Sequence, residues 1–342
     1  MPRKGARMRE SVTVLVAAYN VAETLGATLS GILSQDYAGS VEAVVVDDGS
    51  TDSTLRIARA YEGRYRTAAG WHRRVKVVSQ ANRGLAGARN RAISIADGHF
   101  LTICDSDDVL LPAYLETAVA LLAAQGPGKY FAACNALVLT PTGITPGRPM
   151  LREAQIAPAE QRLAALQYNI GSIFTVFPRA MLEEVGEFDD ALRSCEDWDL
   201  WLRAIYAGWT MVRQDDPQAI YRWTSTSLST DTEALYRNQD AVLRKLLRSP
   251  AVRLTPIERE AAQLRLAVGS PQRMVGRFEN ALRADDLGAA KAALADIGKV
   301  ASYQRRLMVK ARIAKIPGGL RLLRNRQRKL DALNGYHPGM AR

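Results

Sequence analysis

Three carboxylates stand within four residues at the end of a short apolar run. The run begins at Phe100, and Asp105, Asp107 and Asp108 close it. Such a run is typical of a strand buried on both faces, and ligands of open α/β sheets bind outside the carboxyl ends of these strands. Crowded carboxylates repel one another unless a cation neutralises them, and an Asp-x-Asp pair offers the oxygen ligands that Mg²⁺ or Mn²⁺ prefers. The motif fits a cation site, but taken alone it favours the commoner alternative, a solvated turn at the start of a helix.

A second acidic pair opens a predicted helix much later in the chain. Glu196 and Asp197 come just before Leu200 and Leu202, which belong to the apolar face of that helix. A helix N-terminus favours the ionised form of a carboxylate, which is what a general base needs near neutral pH. Simple capping of the helix dipole is the alternative explanation.

Glycines and arginines meet at the start of another predicted helix, in the segment 82–90 with the sequence NRGLAGARN. Backbone N–H groups at a helix start, with Arg83 and Arg89 beside them, suit a diphosphate. The glycine spacing matches neither a Walker loop nor a dinucleotide fingerprint. Arg222, at the end of a later strand, is a further candidate for contact with a diphosphate.

Two more strand ends carry residues that suit a nucleotide base. Asp47 and Asp48 follow one apolar strand, and a carboxylate there can accept a hydrogen bond from a nucleobase N–H. Ala17 and Ala18 end another strand, where small side chains let a flat ligand approach the backbone. Capping and turn formation explain the acids equally well, and tight packing explains the alanines.

Four strand–helix units must position these groups, and four such units within about 110 residues predict a parallel, doubly wound sheet. The chain therefore divides into a basic arm at 1–10, an α/β domain at 11–230 and a helical, basic extension at 231–342. The later elements are predicted as a helix at 113–124, a strand at 130–139, a mobile loop at 141–149, a strand at 172–177, and extension helices at 235–247, 257–282, 287–297, 303–316 and 320–330.

The charge of the 342 residues is uneven. The net charge is +11, and the stretch 300–342 holds eleven Lys or Arg and a single acid, Asp331. A near-neutral body with an acid-lined site is a poor match for a polyanion, so we expect no nucleic-acid partner. Three scattered cysteines favour a reducing compartment, and the absence of a long apolar run argues against a membrane span. We expect a cytoplasmic protein.

Five motifs together resemble the family 2 glycosyltransferases, in the right order and across roughly residues 11–230. The motifs are 16–20 (VAAYN), 45–52 (VVDDGSTD), 82–90 (NRGLAGARN), 105–108 (DSDD) and 196–201 (EDWDLW). The resemblance implies the GT-A fold and an inverting, metal-dependent transfer of one sugar from a nucleotide-diphosphate donor. A UDP-sugar is the first candidate for that donor. It also implies a saccharide or lipid-linked acceptor in cell-envelope synthesis.

The resemblance assigns roles residue by residue. Asp48 matches the acid that contacts the uracil, Ala17 and Tyr19 lie in the motif beside the base, and Asp105 matches the acid near the ribose. Asp107 matches the ligand of Mn²⁺ or Mg²⁺. Asp197 matches the general base, with Glu196 as its rival. The arginines at 83, 89 and 222 are assigned to the diphosphate region, and Trp198 and Trp201 either stack on an acceptor sugar or pack in the core.

Two other classes of protein share parts of this pattern. A sugar-phosphate nucleotidylyltransferase should carry a glycine-rich basic loop after its first strand, and Ala17–Asn20 is not one. A catalytically inactive binding protein would have no chemical need for Asp105, Asp107 and Asp197. The sequence also lacks the Gln-x-x-Arg-Trp motif and membrane helices of processive synthases, which favours transfer of a single sugar.

The basic stretch 300–342 suits an anionic membrane surface, where each Lys or Arg contributes about 1 kcal/mol. Val309, Ile313, Ile316 and Leu320 recur at helical spacing and suit insertion beside the charges. The alternative is that these aliphatic side chains pack on their own domain. Membrane docking would make the protein peripheral at the inner face of the plasma membrane.

Overall fold

The computed structural model describes residues 10–151, 155–224, 231–300, 309 and 312–334. The chain folds into two compact units. One is built from the chain up to Arg162 together with Asn169–Thr224, and the other from Leu163–Tyr168 together with the chain after Thr224. The expected domain boundary at residue 230 lies just beyond Thr224. Residues 225–230, most of the basic arm and parts of the basic tail, including most of the predicted helix 303–316, lie outside the described residues.

The first unit is organised around one ten-stranded sheet. The order across it is β3-β4-β2-β1-β5-β9-β7-β10-β6, with β8 paired to β7. The strands are β1 Val12–Ala18, β2 Val41–Asp47, β3 Gly63–Arg66, β4 His72–Ser79, β5 Phe100–Ile103, β6 Val109–Leu110, β7 Tyr130–Thr140, β8 Gly143–Pro149, β9 Thr175–Pro178 and β10 Thr210–Arg222.

Helices cover this sheet and build the second unit. Those of the first part of the chain are α1 Leu25–Leu33, α2 Thr54–Ala60, α3 Gly84–Ile95, α4 Tyr114–Ala124, α5 Pro158–Gln167, α6 Arg179–Val185 and α7 Glu196–Tyr206. Those that follow are α8 Thr232–Arg248, α9 Pro256–Val268, α10 Pro271–Arg283, α11 Leu287–Val300 and α12 Gly319–Asn334.

The central strands β4, β2, β1 and β5 run parallel, as the continuous apolar runs predict. Every residue of β2 is buried, and in β1 only Ala17 is partly exposed. Strands covered on both faces read as unbroken apolar runs because neither face meets water. The predicted α/β class with a mostly parallel sheet is confirmed, and its carboxyl edge carries the residues that follow β1, β2 and β5.

The elements that the sequence analysis did not predict include β3, β6, β8 and α5. The predicted mobile loop at 141–149 instead contains β8, which pairs antiparallel with β7. The short strand β3 was not predicted, because its charged sequence lacks an apolar pattern and it pairs only with β4 at the sheet edge.

The predicted helix 257–282 is broken at Gly269. This residue has φ 94°, a left-handed conformation that ends α9, and the Ser270 hydroxyl then accepts a hydrogen bond from the Arg273 N–H to cap α10. Pro271 occupies the first turn of α10, where its missing N–H costs nothing. The second unit has a core of its own around Phe278 and Leu323.

No helix in the described part of the chain has both the length and the apolar character that crossing a bilayer requires.

Candidate active site

Hydrogen bonds from a side chain of α1 to backbone carbonyls hold the acidic turn after β5. The Thr28 hydroxyl donates to the carbonyl oxygens of Ser106 and Asp108, at 3.0 and 2.7 Å, and fixes the turn against the helix. Asp105 and Asp107 are partly exposed at this turn, whereas Asp108 is buried. The carboxylates that the sequence groups together are therefore held close in space by a rigid loop.

The electrostatics of this turn are those of an anion cluster. Burial, and then the charge of Asp105, raises the pKa of Asp107 to about 6. Burial, with the charges of Asp105 and Asp107, raises the pKa of Asp108 well above its usual range. One carboxylate oxygen of Asp108 also has no hydrogen-bond partner among the described residues. A cation here would relieve both the crowding and the unpaired oxygen.

Arg222 lies against the same turn. Its backbone N–H donates to Asp108 Oδ1 at 2.7 Å, and its Nε donates to the Asp107 carbonyl at 2.9 Å. The end of β10 therefore brings a guanidinium to the carboxylate cluster, and its contact with a diphosphate stays a prediction. Its position was predicted from the sequence, but the two contacts that hold it there could not be.

Arg89 lies deeper than the sequence suggests. Its side chain is 1% exposed, and its guanidinium bridges Asp105, at 2.6 Å, and Glu196. Burial alone would lower the pKa of Arg89, but the charges of Asp105 and Glu196 outweigh it and raise that pKa. The predicted contact with the diphosphate is thus replaced, in this structure, by an internal link between the end of β5 and the start of α7.

The two acids that open α7 have different surroundings. The Glu196 carboxylate is buried and paired with Arg89. Asp197 is partly exposed and accepts a hydrogen bond from the Asn169 amide at 2.8 Å. Burial, followed by the charge of Glu196, raises the pKa of Asp197 to about 6. Asp197 is therefore the more accessible of the two carboxylates, whereas Glu196 is held by Arg89.

Asn169 is a site residue that the sequence analysis missed. It precedes Asp197 by 28 residues and belongs to no motif, so only the fold brings its amide to the carboxylate. Cys195, just before α7, has φ 64° and so adopts a left-handed conformation that is uncommon for residues other than glycine. Backbone strain of this kind is concentrated at functional sites.

The indoles of α7 are core residues. Trp201 is 1% exposed and stacks on Phe131 at 5.5 Å between ring centroids, and it meets Phe177 edge-on. Trp198 is 2% exposed. Neither ring is available to stack on a sugar, so core packing accounts for both, as is commoner for tryptophans on such a helix.

Asp48 caps the start of α3. Its carboxylate accepts hydrogen bonds from the backbone N–H groups of Arg83 and Gly84, at 2.9 and 2.8 Å, and from the Gln80 amide at 2.8 Å. This is the capping role that the sequence left open beside the nucleobase role. Its neighbour Asp47 is buried, bonded by the Ser79 hydroxyl, and keeps one oxygen without a partner among the described residues.

The remaining donor-side candidates lie at the surface. Tyr19 is half exposed at the end of β1, and Ala17 is partly exposed within that strand. Arg83 is exposed and pairs with Asp190 at 3.2 Å. Asp190 also accepts from the Asn90 amide at 2.7 Å. These contacts join the start of α3 to the loop that leads into α7.

The amino-acid sequence was compared with families of known proteins and with individual proteins. The family model described as "Glycosyl transferase family 2" matches residues 13–172. The succinoglycan biosynthesis protein ExoO of Rhizobium meliloti is 30% identical over 251 residues, which are 68% of each chain. The chain belongs to glycosyl transferase family 2. It is a glycosyltransferase, and the motif that carries Asp105 and Asp107 lies within the region that the family model matches.

One further sequence relative and one solved structure are also similar to this chain. An Escherichia coli protein named UDP-Glc:alpha-D-GlcNAc-diphosphoundecaprenol beta-1,3-glucosyltransferase is 26% identical over 254 residues, 71% of this chain and 89% of the other. The mannosyltransferase PcManGT of Pyrobaculum calidifontis, solved with GDP-Man and Mn²⁺, superposes with a TM-score of 0.58 at 21% identity, over 96% of this chain and 88% of that one. The second likeness shows the GT-A fold.

The residues of this family 2 site fit a divalent cation shared with a substrate. In the described part of the chain, no group of three or more His, Cys, Asp or Glu side chains is arranged to hold a metal ion unaided. Mg²⁺ commonly binds through one or two carboxylates plus substrate phosphates, and Asp107 supplies such a carboxylate at the surface. A cation here would offset the repulsion among Asp105, Asp107 and Asp108, which contributes to the raised pKa of Asp107 after the effect of burial.

Proposed function

We propose that this glycosyltransferase moves one sugar, with inversion, from a nucleoside diphosphate sugar to an acceptor hydroxyl in saccharide or glycolipid synthesis. The observation that carries the proposal is the link through Arg89. It joins Asp105, beside Asp107, to the helix start that bears Asp197. Donor-side acids and a candidate base thus belong to one connected site. A UDP-sugar and a lipid-linked acceptor are supported by the name of the Escherichia coli relative.

Asp197 is assigned as the general base. The acceptor oxygen forms a bond to the anomeric carbon, the bond from that carbon to the diphosphate oxygen breaks, and Asp197 receives the hydroxyl proton. With a pKa of about 6, the carboxylate is mostly ionised at pH 7 and is more basic than an ordinary aspartate. Asn169 holds it in place. Glu196 is left to anchor Arg89.

Asp107 is assigned as the residue that would hold Mn²⁺ or Mg²⁺. Such an ion supplies neutralising charge for the departing nucleoside diphosphate. Arg222 adds a fixed positive charge at the same turn, and Arg83 lies at the start of α3 with its side chain exposed. Both guanidiniums suit the diphosphate oxygens.

The base and ribose of the donor are assigned to the carboxyl ends of β1, β2 and β5. Ala17 and Tyr19 provide the approach to the base, and Asp105 is assigned to the ribose. Asp48 would contact the base only through lone pairs that its three capping hydrogen bonds leave over.

Release of nucleoside diphosphate tests this function. The purified protein is incubated with a panel of nucleotide sugars and Mn²⁺ or Mg²⁺, and release is compared with that of Asp107→Ala. We expect metal-dependent release from one donor, and we expect Asp107→Ala to fall to the rate seen without metal because its cation ligand is lost. Glu183→Gln, which removes an exposed carboxylate on α6, is the matched control.

Calorimetry covers the case of a strict acceptor requirement, in which no donor is hydrolysed. Metal-dependent binding of a nucleoside diphosphate by the wild type, absent in Asp107→Ala, would still support the donor site. If no nucleotide binds with or without metal, the proposed function is wrong.

We also propose that α12 docks the protein on an anionic membrane, at the inner face where a lipid-linked acceptor would be reached. Leu322 is 62% exposed and Ile316 is 60% exposed, so the aliphatic side chains there are not all packed on their own unit. Basic residues flank Leu322 on α12, including Arg321 and Arg326. Ile313 and Leu320, in contrast, contact the core of the second unit, as the alternative predicted.

Liposome flotation tests the docking. We expect the full chain to float with vesicles that contain phosphatidylglycerol and to remain behind with neutral vesicles, because the basic residues need anionic headgroups. Leu322→Ser with Ile316→Ser should weaken flotation, whereas Ile257→Ser, an equally exposed aliphatic residue on α9, should not. Equal flotation of both variants would contradict docking through this surface.

A further inference from the structure

A second cleft lies at the opposite edge of the sheet from the candidate active site. It is formed by the amino ends of β1 and β2 together with the β3–β4 hairpin, and its volume is about 670 Å³. Small-molecule sites usually measure about 300–1,000 Å³. None of the residues assigned above to donor, metal or base lines it. The function proposed so far leaves this cleft unused.

The hairpin places like charges opposite one another on one face. Arg64 is paired in register with Arg74, so two guanidiniums face each other, and Arg66 lies opposite the imidazole of His72. Like charges directly across two strands are destabilising. Arg74 reaches Glu42 and Asp97, but neither Arg64 nor Arg66, both exposed, has an acid within ion-pair distance in the described part of the chain. Glu42 and Asp97 also line the cleft, but both pair with Arg74 and with Lys76, so the charges of Arg64 and Arg66 are left without an acidic partner in the described part of the chain.

Arg73 adds a buried cation to the lining. It is 2% exposed, and its two terminal nitrogens donate to backbone carbonyl oxygens only. The acceptors are the carbonyls of Gln35, Tyr37, Gly39 and His72, at 2.8 to 3.1 Å. Its Nε has no hydrogen-bond partner among the described residues. A buried guanidinium stays charged, so Arg73 adds positive charge beside the cleft.

We propose that this cleft is a second anion site, which binds a phosphate group. Exposed guanidiniums in a rigid hairpin suit phosphate oxygens because each offers paired N–H donors in a fixed geometry. The buried charge of Arg73 raises the local potential, and Glu42 and Asp97 hold the neighbouring Arg74 in place. The phosphate belongs either to a free metabolite or to a lipid headgroup, and the test separates the two.

Calorimetry with pyrophosphate is the first arm, and it is done without divalent cations because the donor site is proposed to need one. We expect the wild type to bind and Arg64→Gln with Arg66→Gln to bind about tenfold more weakly or worse, since two charge-assisted contacts are lost. Arg56→Gln with Arg91→Gln removes the same charge from exposed positions on α2 and α3 and should bind as the wild type does.

Flotation with phosphatidylglycerol vesicles is the second arm. A loss of flotation in Arg64→Gln with Arg66→Gln assigns the phosphate to a lipid headgroup, whereas loss of pyrophosphate binding alone assigns it to a soluble ligand. If the wild type binds neither probe, or if the hairpin and control variants weaken binding equally, there is no specific phosphate site in this cleft. Because donor hydrolysis is measured separately, failure here leaves the proposed function untouched.

Discussion

Asp197→Asn is expected to slow sugar transfer by about 10²–10⁴-fold, the usual contribution of a positioned base. The amide is nearly the same size as the carboxylate and can still accept the hydrogen bond from Asn169. Nucleotide affinity and thermal stability should therefore change little. Steady-state kinetics with a saturating donor measure the effect, and Glu183→Gln serves as the matched control. A rate within about threefold of the wild type would exclude Asp197 as the base.

The pH profile separates Asp197 from Glu196. Because the base works only when ionised, the wild-type rate should fall as the pH drops through about 6 and should be level above it. The charge of Glu196 helps to raise the pKa of Asp197. Glu196→Gln should therefore keep activity but move the acid limb to lower pH. If Glu196→Gln instead loses transfer as completely as Asp197→Asn does, with its fold intact, the roles of the two acids are reversed.

Arg89→Gln is expected to lower the free energy of unfolding by about 3–5 kcal/mol, the usual cost of removing one partner from a buried ion pair. The substitution leaves Glu196, 4% exposed, with a buried and unpaired charge. It also unties Asp105 from the start of α7, so the rate of transfer should fall together with stability. Urea denaturation of the full chain, followed by circular dichroism, measures the first effect.

The double variant Arg89→Gln with Glu196→Gln tests the reason for that loss. Removing both charges should recover part of the stability, because no unpaired buried charge remains at position 196. Arg91→Gln, exposed on the same helix, should be neutral. A change below about 1 kcal/mol in Arg89→Gln would show that the guanidinium is not a stabilising link.

The sequence by itself determined the parallel core and the places where acids emerge from it. Strands such as β2, buried throughout, need unbroken apolar runs, and the acids at their carboxyl ends stand out against those runs. The motif order also identified the family. Such strands can be predicted from the sequence because burial on both faces leaves no polar residues inside the apolar run.

Only the tertiary structure decided which residues meet. Asp105 and Glu196 are 91 positions apart, and their shared contact with Arg89 depends on how α3, β5 and α7 pack, so the sequence assigned that arginine to the ligand instead. The pairing of Asn169 with Asp197, and the burial of Glu196 against Arg89, depend on neighbours from distant segments. The spacing of residues along the chain does not show which distant side chains meet, because packing between elements, not local conformation, creates these contacts.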